Sequence, residues 1–118
     1  MKYSFERLIV WQEARSFVKE IYIMLNKFPK FEQYALRDQI RRASISIPSN
    51  IAEGNSRNSN KEKIHYIEIA YGSLMETYCQ LILSNDLNYL SDNDLNTIKP
   101  KIDSISKLLS GLKASLTK

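Results

Sequence analysis

Residues 41–54 read RRASISIPSNIAEG. Ala43, Ile47 and Ile51 continue a step begun by Leu36 and Ile40, which is the spacing of one apolar helix face. Pro48 falls in the middle of that step. Proline removes the N–H that would bond the carbonyl of Ser44 and crowds that carbonyl. The stretch therefore predicts a helix from about Phe31 to Asn55, kinked at Pro48, with Gly54 and Asn55 as its stop. The freed carbonyl needs a donor: water, Ser49, the Asn50 amide or a tyrosine of the next helix.

Three more helical segments surround this one. From about Ser4 to Lys27, Leu8, Trp11, Arg15, Val18, Tyr22 and Leu25 step by three and four, with Ala14 and Ile21 widening the stripe. Phe28-Pro29 ends it, because proline moves the preceding residue out of the α region. Ser59-Asn60-Lys61-Glu62 has the spacing of a capping box. Ile64, Ile67, Tyr71, Leu74, Tyr78 and Leu81 then follow a heptad pattern to about Leu87. Ser91-Asp92-Asn93-Asp94 announces a fourth helix, with acids against its positive end. Leu95, Ile98, Ile102, Ile105, Leu109, Leu112 and Leu116 form its seam. Pro100 either bends its first turns or follows a restart at Lys99, where proline suits the first helical position.

Nothing alternates with period two for long enough to make a strand. The connections are short, which favours antiparallel neighbours. The expected fold is all-α: one domain over residues 1–118, an elongated up-down-up-down four-helix bundle with neighbours crossing at about 20°. Pairing the second and third helices across their loop brings residues whose numbers sum to about 117 together. Arg41 then lies near Glu76, and Ala43, Ser44 and Ser46 lie near Gly72 and Ser73. Close backbone approach would account for Gly72, since glycine inside a helix costs about 1 kcal/mol against alanine. Arg42, Ser46, Ser49, Asn50 and Glu53 fall on one polar stripe. It reads either as the rim of a monomeric bundle or as a subunit interface in which Arg and Glu pair between chains.

Composition narrows the chemistry. The chain has 118 residues, three Gly, three Pro, one Cys and a net charge of +4. One cysteine excludes an internal disulfide framework. The N-terminal stretch lacks the apolar run of a signal peptide, and no run is long enough to cross a bilayer, so a cytoplasmic protein is expected. Residues 95–118 hold five lysines, 99, 101, 107, 113 and 118, against one acid, Asp103. Arg37, Arg41 and Arg42, then Arg57, Lys61 and Lys63, form the other basic groups, which suit phosphate if clustered and are plain solvated faces if scattered.

Catalytic patterns are sparse. His65 and Cys79 share one helix about 21 Å apart, too far for a dyad. His65 reads as a rim residue and Cys79 as a small core hydrophobe. Glu62 and His65 form one Glu-x-x-His, but a di-iron bundle needs two and the chain has one histidine. No metal, cofactor or catalytic residue is expected. Tyr66, Tyr71, Tyr78 and Trp11 have the spacing of core or interface residues, with base stacking as the sharper alternative. Tyr3, Tyr34 and Tyr89 lie near helix ends, where exposure is easier.

The run LRDQIRRA-SISIPSNIAEGNSR, with IEIAYGSLMET after it, FERLIVWQEA and KFPKFEQYAL before it, and NDLNYLSDNDL later, resembles the four-helix-bundle family of 23S rRNA intervening-sequence proteins. That family includes products of reading frames inserted within 23S rRNA genes. It is similar to the accessory proteins of diversity-generating retroelements. The resemblance implies the bundle, a homo-oligomer of five chains, and basic surfaces that engage RNA or a nucleic-acid enzyme. On it, Arg37, Arg41, Arg42, Arg57, Lys61 and Lys63 are the candidate nucleic-acid contacts. Pro48, Asn50, Glu53, Gly54, Gly72 and Glu76 are the candidate structural or interface residues. The expected protein is a non-enzymatic oligomer that binds RNA or nucleoprotein. The alternative is a protein-interaction module with no nucleic-acid role.

Overall fold

The computed structural model describes residues 2–117. Four helices follow one another: α1 (Ile9–Leu25), α2 (Leu36–Asn55), α3 (Asn60–Asp86) and α4 (Asp92–Leu116). Short 3-10 turns at Ser4–Arg7 and Lys30–Glu32 precede α1 and α2. No strand occurs among the described residues. The molecule measures 44 × 24 × 23 Å, the shape of a bundle of long rods.

The helix starts follow local chemistry. Ser59 Oγ accepts from the Glu62 N–H at 3.1 Å, and Ser91 Oγ accepts from the Asp94 N–H at 3.0 Å. Both serines thus satisfy a donor that the first turn leaves open. Glu32 explains why α2 begins at Leu36 and not at Phe31. Its carboxylate accepts from the Leu36 N–H at 3.1 Å and from the Tyr89 hydroxyl at 3.2 Å, which spends the residue as a cap. α1 starts at Ile9, after an extended Leu8, because the Ser4–Arg7 turn lets Phe5 lie edge-on against Trp11 at 5.0 Å. Pro48 and Pro100 both lie inside continuous helices, and α4 starts at its serine cap rather than at Lys99.

Contacts between neighbours rise in number on one helix as they fall on the other. Gln39 meets Gln80, Ser46 meets Ser73, and Arg57 meets Tyr66. Lys27 binds Asp94 at 2.8 Å, Lys101 binds Glu13 at 3.3 Å, and Lys113 binds Glu68 at 3.1 Å. The core holds Ile40, Ala43, Ile47 and Ile51 of α2 and Ile98, Ile102, Ile105 and Leu109 of α4, as their spacing predicts.

α1 is rotated from the expected setting, and α3 matches it only in part. α1 buries Val10, Ala14, Phe17, Ile21 and Met24; Ala14, Ile21 and Leu25 of the predicted stripe are buried, while Trp11, Arg15, Val18 and Tyr22 lie on its flank. α3 buries Ile67, Leu74 and Leu81 as its spacing predicts, but with Ala70, Thr77 and Ser84 beside them, leaving Tyr71 39% exposed. The reason is α2. Small residues bring the two backbones close, and the buried hydroxyls are satisfied locally: Thr77 donates to the Ser73 carbonyl at 2.8 Å and Ser84 to the Gln80 carbonyl at 2.7 Å. Cys79 consequently points outward rather than into the core.

The glycines also trade roles. Gly54 is no stop signal; it is buried within α2, and a Cβ there would lie 2.7 Å from Tyr66 Cβ. Gly72 was expected at the close approach but has nothing within 4 Å of such a Cβ. Gly54→Ala should therefore lose about 1–3 kcal/mol through overpacking. Gly72→Ala should gain up to about 1 kcal/mol as an ordinary helix substitution. Urea unfolding of the two variants checks both signs.

Acid should act on the α1–α4 end. The Lys27 hydrogen bond holds the Asp94 carboxyl below its usual range against a smaller opposing effect of burial, with Ser91 helping. A carboxylate whose folded pKa is depressed adds stability above its unfolded pKa, about 3.9, and loses it as pH falls through the lower folded value. Asp94→Asn should cost about 0.5–1 kcal/mol at pH 7. Thermal melts should show its difference from the native chain shrinking as the pH falls below about 3.9 and through the lower folded value.

Candidate nucleic-acid interface

The six candidate cations divide into two groups at opposite ends of α2, separated by roughly 20 Å of helical rise. At the N-terminal end, Asp38 gathers two of them. Arg41 Nη2 donates to Asp38 Oδ1, and Arg42 Nε lies 3.0 Å from Asp38 Oδ2. The Arg41 hydrogen bond is the main reason the Asp38 carboxyl sits below its usual range, with Arg42 adding to it. Asp38 and Tyr22 together raise the Arg41 guanidinium. Arg41 was expected beside Glu76 instead; it faces α1, while Glu76 Oε2 accepts from Gln80 at 3.2 Å. The one-turn spacing of Arg41 and Arg42 from Asp38 wins over the longer reach to α3.

Arg37 differs from its neighbours. It has no carboxylate partner among the described residues. It lines a hollow of about 280 Å³ with Tyr22, Asn26, Gln33, Tyr34 and Arg41. At the other end, Arg57 is structural. Its guanidinium lies 4.9 Å over the Tyr66 ring, donates to the Tyr66 hydroxyl at 2.8 Å and reaches Glu53 at 3.4 Å. Lys61 is exposed, and Lys63 is half-buried beside Gly54 and Leu116. Neither has an ion-pair partner among the described residues.

The C-terminal lysines do not form a free patch. Lys99 pairs with Asp103 at 2.8 Å, a hydrogen bond that raises its ammonium above the ordinary range. Lys101 and Lys113 cross to Glu13 and Glu68. Lys107 is exposed, and Lys118 lies outside the described residues. The segment looked basic because Lys101 and Lys113 find their carboxylates far away in sequence.

The polar stripe is partly consumed within the chain. Ser73 Oγ donates to Ser46 Oγ at 2.8 Å, and the Asn50 amide donates to the Ser46 carbonyl at 2.8 Å and hydroxyl at 2.9 Å. Asn50 thus serves Ser46, not the carbonyl freed by Pro48. Arg42, Ser49 and Glu53 remain exposed, and Pro48 faces the side of α1. His65 is exposed and edge-on to Tyr66. Among the described residues no three His, Cys, Asp or Glu side chains gather as metal ligands.

The flank turned out by α1 was read as core in the sequence. Arg15 lies 5.5 Å over the Trp11 ring, and both line a hollow of about 380 Å³ with Val18, Ile45, Pro48, Ser49 and Ala52. An arginine within an apparently apolar stripe was the signal that this face is a border.

The model of the 23S rRNA-intervening sequence protein family matches residues 6–111. The chain belongs to that family. A similar solved structure is a protein of unknown function from the S23 ribosomal protein family of Bacteroides thetaiotaomicron VPI-5482. It superposes with a TM-score of 0.82 at 24% identity, covering 89% of this chain and 98% of that one. Its likeness establishes the fold. No curated protein matches the chain. Among the described residues no helix is long and apolar enough to cross a membrane.

The ion-pair pattern predicts which substitutions disturb structure. Arg57→Ala should lower stability by about 1–2 kcal/mol, since it removes the cation–π contact and the tyrosine hydrogen bond together. Arg37→Ala should leave the denaturation midpoint within about 0.5 kcal/mol. Chemical denaturation of the two variants separates the roles.

Proposed function

We propose that this family member is a non-enzymatic, cytoplasmic helical bundle that assembles with itself and binds RNA or a nucleoprotein. The observation that carries the reading is the set of cations left over after internal pairing. Arg37, Lys61 and Lys63 lack carboxylate partners among the described residues, as does Arg15 on the neighbouring helix. Free guanidinium and ammonium groups at both ends of a rod suit a polyanion longer than either patch. Membership of the 23S rRNA-intervening sequence protein family supports the choice of RNA. A ring of five chains, as the resemblance implies, would repeat each small patch around the particle.

A second reading has its own observation. Ile69, Ile82 and Leu83 of α3 are exposed, and Gly72 among them has open space beside it. This outer side of α3 suits packing against another chain, and it supports self-assembly under either reading.

The expected result is RNA binding at about 50 mM salt that weakens about tenfold or more by about 200 mM, as a few phosphate contacts require. Absence of binding at the lower salt removes the nucleic-acid role and leaves the interaction module. Light scattering should give a mass several times 13.7 kDa. A single 13.7 kDa species would remove the assembly.

A further inference from the structure

We propose that the seam between α1 and α2 is the groove for a single-stranded RNA segment, with Trp11, Tyr22 and Tyr34 as stacking surfaces and Arg15, Arg37 and Arg41 toward its phosphates. The inference rests on the nucleic-acid reading above and locates it on the chain.

Rotation of α1 creates the seam. Trp11, Arg15, Val18 and Tyr22 step by four, three and four, so they share one face over about 17 Å of rise. α2 answers with Arg37, Arg41, Ile45 and Pro48 on its facing side. The two hollows follow one another along this line. One ends at Val18 and Ile45; the other begins one turn further, at Tyr22 and Arg41. Aromatic and cationic groups therefore alternate along a single path, the pattern that holds an unpaired strand by stacking and charge.

Each group is fitted for such a ligand. Tyr34 stands at the mouth, 87% exposed, with its ring available. The Arg15 guanidinium already covers Trp11, so a base could stack on that cation. Arg37 has no carboxylate partner among the described residues. Asp38 is the one acid lining the hollows, and Arg41 and Arg42 both hold it. The floor at Ile45, Pro48 and Ala52 is apolar, which suits base faces and gives a duplex backbone nothing to bind. A peptide helix would fill the apolar part but leave Arg15 and Arg37 facing it without partners, so charge favours the polyanion.

The chain has one tryptophan, so its fluorescence reports on the seam alone. The probe is a labelled oligouridylate of about a dozen nucleotides, titrated into the full chain at low salt. Trp11 emission should be quenched along the same isotherm as probe anisotropy. Tyr34→Ala and Arg37→Ala should each weaken binding roughly tenfold without changing the melting temperature. Lys61→Ala and Lys63→Ala should change it by less than about threefold. Unchanged emission, with affinity sensitive to Lys61 and Lys63 instead, would put RNA at the other end and overturn the seam while keeping the nucleic-acid role. Emission that responds to protein concentration alone, with the seam variants changing the native mass, would mean that a second copy covers the groove, again overturning it. No binding of the probe by the unaltered chain at low salt would take down both readings together.

Discussion

The close contact between α2 and α3 sets every other placement in the molecule. It depends on small side chains. Ala43, Ser44, Ala70 and Thr77 are buried, Ser46 meets Ser73, and at the loop end Gly54 lets Tyr66 approach to a distance no Cβ would allow. Large residues interleave with them: Ile40, Ile47, Leu74 and Leu81 are fully buried, each contributing about 1.5–3 kcal/mol by leaving water. The buried hydroxyls add little net stability but would cost about 1–3 kcal/mol each if left unpaired. Their donation to carbonyls of their own helix is what permits polar atoms in so tight a joint.

That joint fixes the rotation of α3 and leaves α1 and α4 to cover the remaining apolar edge. α1 meets α4 through Lys27, Lys101 and Ser104, whose partners Asp94 and Glu13 lie on the opposite helix. Drawn toward α4, α1 presents Val10, Ala14, Phe17 and Ile21 inward and turns Trp11 and Tyr22 toward α2. The candidate interface is thus a by-product of core packing. Its aromatic rings are displaced by residues that fit better inside.

The fold was readable because its dominant signals are periodic. The α2 and α4 faces appear in the sequence as isoleucines and leucines at helical spacing, and both serine caps sit where their carboxylates three residues on predict them. α1 and α3 were legible in part: Ala14, Ile21, Leu25, Ile67, Leu74 and Leu81 are buried as their spacing predicts, while Trp11, Tyr22 and Tyr71 yield the inner places to their neighbours. Side-chain size alone prefers Tyr71 to Ala70 and Trp11 to Val10, while close packing prefers the smaller member. The cations were legible as residues and not as a site. Whether Lys101 or Arg41 is free depends on Glu13 and Asp38, and only the first of these partners is distant in sequence. Gly54 and Gly72 differ in nothing local; the neighbour across the helix joint decides which of them is required.

Internal pairing leaves the positive excess of the bundle in place. Arg7, Arg15, Lys19, Lys30 and Arg37, on or beside α1 and α2, lack ion-pair partners among the described residues, as do Lys61 and Lys63 of α3 and Lys107 of α4; the acids without such partners include Glu6, Glu32, Glu76 and Asp86. With a net charge of +4, attraction to a polyanion begins before any contact is made. In dilute salt it acts over about 10 Å or more and shortens the search for a productive encounter.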